Sequence, residues 1–410
     1  MNKNNWQVKI LKQVYAPLGN LSYSREFLTE TPQRLKYIHY GDIHTNEIPE
    51  MISGQTYLPF LFDSTSISNE KKYLLQTGDL IITDASEDYE GVGKSVEVAT
   101  ISNEKIVAGL HTIALRPIDA TNLAPGFGRY LLKHPLVSKR LKAIAQGTKV
   151  FSISFSLIQK LEIHLPPIEE QRKIVEVLET WDKAIGLTKR LIEQKELQKK
   201  YLMQQFLTGR TRLKGFTDLW KKIRLRNFLC EIDERTTSNN QYPIMSVTKQ
   251  GIYSQQEYFD KQIASENNVG YKILRRENIV FSPMNLWMGS IGFFQQDVGI
   301  VSPAYKIFNV NKTIALFNFL RYFMTTPRML YLYKINSEVG ASIVRRNLDL
   351  AGLLSSEITL PSTKEQQAIS QVLSFCDKEI DLLKQKLAKL EEQKKGLMQI
   401  LLTGKVRLKI

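Results

Sequence analysis

The chain has 410 residues, of which 43% are hydrophobic and 24% charged, and it carries a formal net charge of +15. That length allows two or three folded domains, and the positive excess favours a polyanionic partner, nucleic acid before membrane. Two cysteines far apart, Cys230 and Cys376, exclude a disulfide framework and a cysteine-built metal site. No signal peptide is recognised and no apolar run reaches membrane-spanning length, so the expected location is cytoplasmic.

Residues 1–164 read as a mixed α/β domain. Trp6-Gln-Val-Lys-Ile-Leu opens it, and Tyr37-Ile-His-Tyr-Gly-Asp-Ile follows a loop-like stretch. Gly78-Asp-Leu-Ile-Ile-Thr, Lys94-Ser-Val-Glu-Val-Ala and Leu110-His-Thr-Ile-Ala-Leu are short β-like runs bounded by turn residues. Arg129-Tyr-Leu-Leu-Lys and 136–145 read as helices, and Leu161-Glu-Ile-His-Leu as a closing strand.

Residues 165–215 read as one long helix. Pro166 and Pro167 followed by Glu169 and Glu170 make a helix start, and Gly209 stands where a terminating glycine belongs. From 168 to 207 the helix spans about 60 Å at ~1.5 Å per residue. Its apolar positions recur at seven-residue spacing: Ile174, Trp181, Thr188, Lys195 and Leu202 beside Leu178, Ile185, Ile192, Lys199 and Phe206.

Residues 216–359 retrace the order of the first domain with little identity. Trp220-Lys-Lys-Ile-Arg-Leu parallels the Trp6 segment, and Tyr242-Pro-Ile-Met-Ser-Val the Tyr37 segment. Glu277-Asn-Ile-Val-Phe-Ser parallels Gly78-Asp-Leu-Ile-Ile-Thr, and Arg321-Tyr-Phe-Met-Thr-Thr-Pro parallels Arg129-Tyr-Leu-Leu-Lys-His-Pro. Gly340-Ala-Ser-Ile-Val-Arg-Arg parallels Gly147-Thr-Lys-Val-Phe-Ser-Ile.

Residues 360–410 then repeat the helix almost literally. Leu165-Pro-Pro-Ile-Glu-Glu-Gln aligns with Leu360-Pro-Ser-Thr-Lys-Glu-Gln, and Leu207-Thr-Gly-Arg-Thr-Arg-Leu-Lys with Leu402-Thr-Gly-Lys-Val-Arg-Leu-Lys, without a gap. The heptad rows are cleaner here: Ile369, Cys376, Leu383, Leu390 and Leu397 beside Leu373, Ile380, Leu387, Lys394 and Leu401. Identical seams on two copies predict that the helices pair with each other; the alternative is two amphipathic helices, each packed on its own domain. Lys199 and Lys394 occupy equivalent seam positions, a polar interruption able to fix register.

The end of the second copy runs in register into the start of the chain, since Met1 fits the slot that follows Ile410 as Phe216 follows Gly215. The expected fold class is therefore α+β: two mixed α/β domains joined by two long helices in an antiparallel coiled coil, pseudo-two-fold and quasi-cyclic. More than half of the positive excess lies in the two helical segments, much of it at their C-terminal ends.

Catalytic motifs are not evident. Gly91-Val-Gly-Lys-Ser resembles the tail of a phosphate-binding loop, but Asp88 stands where its first glycine belongs. No Asn/Asp-Pro-Pro-Tyr/Phe stretch of an amino-methyltransferase occurs. The acids Asp84, Glu87, Asp88 and Glu90 suit a solvated loop better than a nuclease metal cluster, and His39, His44, His111, His134 and His164 are scattered, without zinc-site spacing.

Taken together, the doubled Leu165-Pro-Pro-Ile-Glu-Glu-Gln-Arg-Lys-Ile helix ending Leu207-Thr-Gly, each copy after its own domain, resembles the DNA-specificity subunit of type I restriction–modification systems. The Gly78-Asp-Leu-Ile-Ile turn and the Leu161-Glu-Ile-His-Leu-Pro-Pro run are similar to that family's signatures. The resemblance covers essentially the whole chain. It implies target-recognition domains at 1–164 and 216–359, spacer helices at 165–215 and 360–410, and double-stranded DNA as ligand. It further implies two copies of a methyltransferase subunit that would hold S-adenosylmethionine, and a restriction translocase-nuclease joined through them. This chain itself would be non-catalytic and without cofactor or metal. Half-sites on one face of the duplex lie about a helical turn apart, ~34–36 Å.

Base and phosphate contacts are expected from polar loop residues. In the first domain these are Asp42, His44, Asn46, Asp84, Ser86, Lys94, Thr148, Lys149 and Ser152; in the second, Lys249, Asn285, Trp287, Tyr305, Ser342, Arg345 and Arg346. The alternative of a different class is a stand-alone bipartite DNA-binding scaffold or regulator without a methyltransferase partner.

Overall fold

The computed structural model describes residues 6–45, 49–65, 67–89, 91–101, 103–255, 267–339 and 346–408. Two compact units emerge, 1–189 with 385–410 and 190–384. Each contains one globular domain, the first part of the long helix that follows it, and the last part of the other long helix.

The two long helices are Ile168–Phe206 and Thr363–Leu401, 39 residues each. The first begins directly after Pro166-Pro167. In the second, Ser362 occupies the position of Pro167, and its carbonyl and hydroxyl oxygens accept from the backbone N–H groups of Gln366 and Glu365. Three residues beyond each helix stands a glycine in the left-handed backbone conformation that a residue without a side chain adopts at least cost, Gly209 at φ +70° and Gly404 at φ +67°. Beyond it Thr211 N–H donates back to Gln205 O, as Val406 N–H does to Ile400 O.

The heptad rows mark the inner faces. Every expected seam residue is buried or half-buried, whereas most positions between them are exposed. Within the first unit Asp182 pairs with Lys394 and Lys189 with Glu391; within the second, Lys195 pairs with Glu379 and Lys199 with Asp377. Numbers rise on one helix as they fall on the other, so the segments run antiparallel in each unit.

In the first unit Gln7–Ile10 pairs antiparallel with Glu162–Leu165, tying the start of the domain to the strand that feeds the helix. A five-stranded sheet runs in the order Tyr15–Leu18, Thr112–Pro117, Leu80–Thr83, Ser95–Val98, Met51–Ile52. Leu80–Thr83 is buried on both faces, as expected of a continuous apolar run. Leu80 and Ile82 pack with Tyr130, Val137, Leu141, Ile174 and Leu178 on the helical side, and Ile81 packs with Ile38, Val96 and Ile106 on the other. A second sheet, Ile106–Ala108, Leu35–Ile38, Phe60–Leu61, Leu28–Thr29, lies beyond that second face.

The second unit repeats the inner half. Lys221–Arg224 pairs with Glu357–Leu360, and a sheet runs Leu229–Ile232, Lys306–Val310, Ile279–Phe281, Ile291–Phe293, matching strand for strand the first four of the larger sheet. Ile279 and Phe281 face Phe319, Phe323, Ile369 and Leu373, while Val280 faces Met245 and Leu274. The outer half differs. Where the Tyr37 segment is a strand inside a sheet followed by the short helix Tyr40–His44, the Tyr242 segment leads into a plain hairpin, Met245–Thr248 with Gly251–Ser254. Sequence order alone suggests closer equivalence than the pairing shows.

Candidate nucleic-acid interface and its helical anchors

Three side-chain contacts fasten each globular domain to its helices, and all three occur in both units. The first is a buried glutamine. Gln171 accepts from Ala124 N–H (2.9 Å) and donates to Asn122 O (3.1 Å) and Pro166 O (2.8 Å). Gln366 accepts from Leu316 N–H (2.8 Å) and donates to Ile314 O (2.9 Å) and Pro361 O (3.0 Å). One amide thereby satisfies three backbone groups at the foot of the helix.

The second is an ion pair under a tryptophan. Arg407 grips buried Glu170 at 2.6 Å through two nitrogens and lies over the Trp6 ring, whose N–H also donates to Glu170 at 3.1 Å. Arg212 grips buried Glu365 at 2.5 and 2.7 Å and lies over Trp220. Gly404 lies against Trp6 as Gly209 lies against Trp220; a Cβ on either glycine would meet the indole at 3.4 Å. The C-terminal segment thus meets the N-terminal segment as the continuous 207–220 chain meets itself, the closure expected of a quasi-cyclic sequence.

The third resolves the seam lysines. Lys394 pairs with Asp182, which accepts from the Tyr130 hydroxyl at 2.8 Å, and its Nζ lies 5.9 Å from the Tyr130 ring centre. Lys199 pairs with Asp377, which accepts from the Tyr322 hydroxyl at 2.6 Å, with Nζ 5.6 Å from that ring. Burial, with the neighbouring carboxylate, holds both phenols protonated. Each triad joins a domain and two helix segments at one point, a denser role than a bare polar interruption.

On the outer face of the first unit, the expected residues converge. His44 Nε2 lies 2.7 Å from Ala85 O, and the Lys94 ammonium donates to His44 O at 3.0 Å. Phe151 and Ser152 pair as a strand with Ser86 and Ala85, bringing the exposed Thr148, Lys149 and Ser152 to the same edge. Asp42 and Ser86 are each 3% exposed. Asp42 pairs with Arg25 at 2.5 Å and accepts from His39 N–H, while Ser86 accepts from Asp88 N–H; these groups brace the surface from within. Asn46 lies outside the described residues.

Sequence reasoning missed the centre of this face. Tyr40 stands edge-on to His44 and His111, with ring centres 5.9 and 5.2 Å apart. His111 takes a left-handed backbone at φ +54°, which costs a non-glycine residue energy, and its half-exposed ring reaches Asp84 at 3.1 Å. Burial pushes the Asp84 carboxyl up and His111 pulls it down. A carboxylate that fixes one imidazole nitrogen leaves the other free for a base edge. No spacing rule pairs residues 84 and 111; the antiparallel pairing of Thr83 with Thr112 sets them side by side at the end of the two strands.

In the second unit the expected residues form two groups. Asn285 precedes the short turn Leu286–Met288, Trp287 lies half-buried, and the Arg346 guanidinium stacks over its ring at 4.6 Å while Arg346 N–H donates to Met284 O. The stacking and half-burial commit much of the Arg346 side chain to this packing. Lys249 sits exposed in the hairpin turn, and Tyr305 packs beneath the hairpin, its phenol pushed up by burial. Ser342 and Arg345 lie outside the described residues. Among the described residues, no group of three or more His, Cys, Asp or Glu side chains gathers to hold a metal, and no helix is long and apolar enough to cross a membrane.

A family model described as type I restriction modification DNA specificity domain matches this chain twice, over residues 5–197 and 218–392. The chain belongs to that family. It is a type I specificity subunit with two target-recognition domains, each match running from a globular domain into its long helix. A putative specificity subunit of the type I enzyme MjaX from Methanocaldococcus jannaschii is 26% identical, covering 99% of this chain and 94% of its own. The EcoBI specificity subunit of Escherichia coli is 23% identical over 58% of this chain and 56% of its own. Among solved structures, a chain from work on complex assembly and conformational transition of the type I R-M system matches with a TM-score of 0.60 at 16% identity, covering 98% of both chains. The S subunit of M. genitalium matches with a TM-score of 0.54 at 14% identity, covering 98% of this chain and 97% of its own. These likenesses bear on the fold.

Proposed function

We propose that this specificity subunit reads an interrupted, two-part DNA site, one target-recognition domain per half-site. Its paired helices act as the ruler between them. The observation that carries this reading is a repeated inner half, fastened by the same three anchors, beneath two outer faces that differ. Two unlike readers on one helical frame serve two unlike half-sites. In this reading two methyltransferase subunits dock on the chain and a restriction translocase-nuclease joins through them, in the cytoplasm. S-adenosylmethionine and the adenine chemistry belong to the methyltransferase, and this chain contributes no catalytic group.

Mapping methylated adenines in cells that express the chain with its methyltransferase tests the reading directly. An interrupted two-part motif is expected; a single continuous motif would overturn it. Inserting four residues into either long helix adds about 6 Å, roughly two base pairs of rise. The gap should lengthen or binding should vanish, and an unchanged gap would remove the ruler. On the reading faces, replacing exposed Lys149 or Lys249 with Ala should weaken binding to all sequences alike and lower the salt slope by about one each. A change confined to one sequence would mark a base contact instead.

A further inference from the structure

The turn at 109–112 of the first unit is held from several sides. Leu110 N–H donates to the Tyr37 hydroxyl at 2.8 Å, and the Thr112 hydroxyl donates to Gly109 O at 2.6 Å. The Asn20 amide donates to Gly109 O and Thr112 O at 3.2 and 2.7 Å, and Asp84 N–H donates to His111 O at 3.1 Å. Within this clamp His111 keeps φ +54°, a conformation that a residue with a side chain holds only when its surroundings impose it. The ring itself is half-exposed.

The shared frame does not require this turn. Leu80 lies opposite Leu115 as Ile279 lies opposite Phe308. Counting along the same strands from that pair puts Pro283 and Ala304 where Asp84 and His111 stand. Neither replacement has a side-chain donor or acceptor, and Ala304 does not take the left-handed conformation. The same inner sheet is therefore built without the imidazole, the carboxylate or the strain. Strain present in one unit alone belongs to that unit's own surface, where such outliers commonly serve a contact.

The chemistry of the remaining ring nitrogen follows from the partner of the first. An ionised carboxylate only accepts, so the Nδ1 atom 3.1 Å from Asp84 Oδ1 carries the proton, and Nε2 of the neutral ring is an acceptor. Nε2 has no hydrogen-bond partner among the described residues. An acceptor there fits an amino group on a base edge, N6 of adenine or N4 of cytosine, and is repelled by N7 and O6 of guanine. A phosphate, which only accepts, gains nothing from it. We propose that His111 is a specificity-determining residue of the first half-site, its Nε2 accepting from the exocyclic amino group of one adenine or cytosine. Asp84 is the positioning residue that fixes the tautomer. The proposal rests on the half-site reading and adds to it the residue and the base group it recognises.

The test uses the full chain with its methyltransferase and duplexes carrying the motif that methylation mapping returns. One amino group is removed at a time across the whole motif, purine replacing adenine and 2-pyrimidinone replacing cytosine. Affinity is read by fluorescence anisotropy. At one position the removal should weaken wild type about tenfold or more, and His111→Gly by less than about twofold. His111→Gly should also keep or raise the melting temperature, since glycine takes φ +54° freely. Asp84→Ala should lose most of the discrimination at that position, and Asp84→Asn, which keeps an acceptor for Nδ1–H, should recover it. The proposal is overturned if no position loses its discrimination in His111→Gly, or if that variant only weakens binding to every duplex alike. Because the scan covers the whole motif, a continuous motif would sink the half-site reading and leave the His111 comparison readable.

Discussion

At matched positions in the two inner sheets, one unit uses charge and the other does not. Leu80 lies opposite Leu115, and Ile279 opposite Phe308, so the residues beside them are equivalent. In the first unit Arg116 clasps fully buried Asp79 at 2.7 and 2.9 Å; in the second, Asn278 donates to Asn309 at 2.7 Å. The turn-closing bond survives the exchange: Asp79 accepts from Gln76 N–H and Asn278 from Arg275 N–H, both at 2.7 Å. One strand over, Glu97 opposite Leu80 takes the place of Phe293 opposite Ile279. Glu97 is 1% exposed and accepts from Gly126 and Arg129 N–H at 2.6 and 3.0 Å, whereas Phe293 sets its ring edge-on to Phe317. The backbone frame thus tolerates either chemistry, provided each buried polar group finds its partners.

The largest expected effect tests what the units share. Gln171→Ala and Gln366→Ala each strand three backbone partners in the interior, and each should cost about 4 kcal/mol. Calorimetry or urea unfolding would show the loss in the unit that carries the change. A loss below about 1 kcal/mol in either would break the equivalence of the anchors.

The next tests what they do not share. Burial pushes the Glu97 carboxyl from 4.5 to about 7, against the backbone N–H groups that pull it down. The folded state therefore holds a proton that the unfolded state releases between those values, so stability falls as pH rises through 4.5–7, by up to about 3 kcal/mol. His134 works in the opposite sense. Burial beside His164 lowers it from 6.5 to about 4, and the stability tied to its neutral ring is lost as pH falls through that window. The comparison is therefore wild type against Glu97→Gln at pH 5 and pH 8. The wild-type advantage should shrink on going to pH 8, in the first unit only, because Phe293 does not titrate. An advantage equal at both pH values would remove the buried-carboxyl account.

The smallest expected effect concerns the triads. Lys394→Met and Lys199→Met each leave an aspartate held only by its tyrosine, a loss of about 1–2 kcal/mol. Adding Asp182→Leu to the first variant should recover part of it. If the double change is worse than the sum of its parts, the lysine acts through contacts other than this aspartate.

Much of the frame was legible because it is periodic and repeated. Heptad rows gave the helix faces, proline and glycine gave the helix ends, and the in-register join of end to start anticipated the meeting of Trp6 with Gly404. The seam lysines were legible as equivalent but not in their role, because their partners Asp182 and Asp377 lie on facing segments that only pairing brings close. The candidate DNA-contact residues were legible only as a set of loops. His111 and Tyr40 carry no local signal, and Asp42 and Ser86 looked like surface groups until packing buried them. The two outer halves also diverge more than residue order suggests, since strand partners come from distant segments and one inserted pairing changes the sheet.

By itself, then, the sequence determined two copies of one plan: the helices, their seams, their ends and the inner strands, all set by short-range spacing and hydrophobic period. Tertiary structure alone decided which buried polar groups meet and where Asp84 finds His111. Those outcomes depend on residues far apart in the chain, and their energies come from burial and partner geometry, which no local pattern encodes.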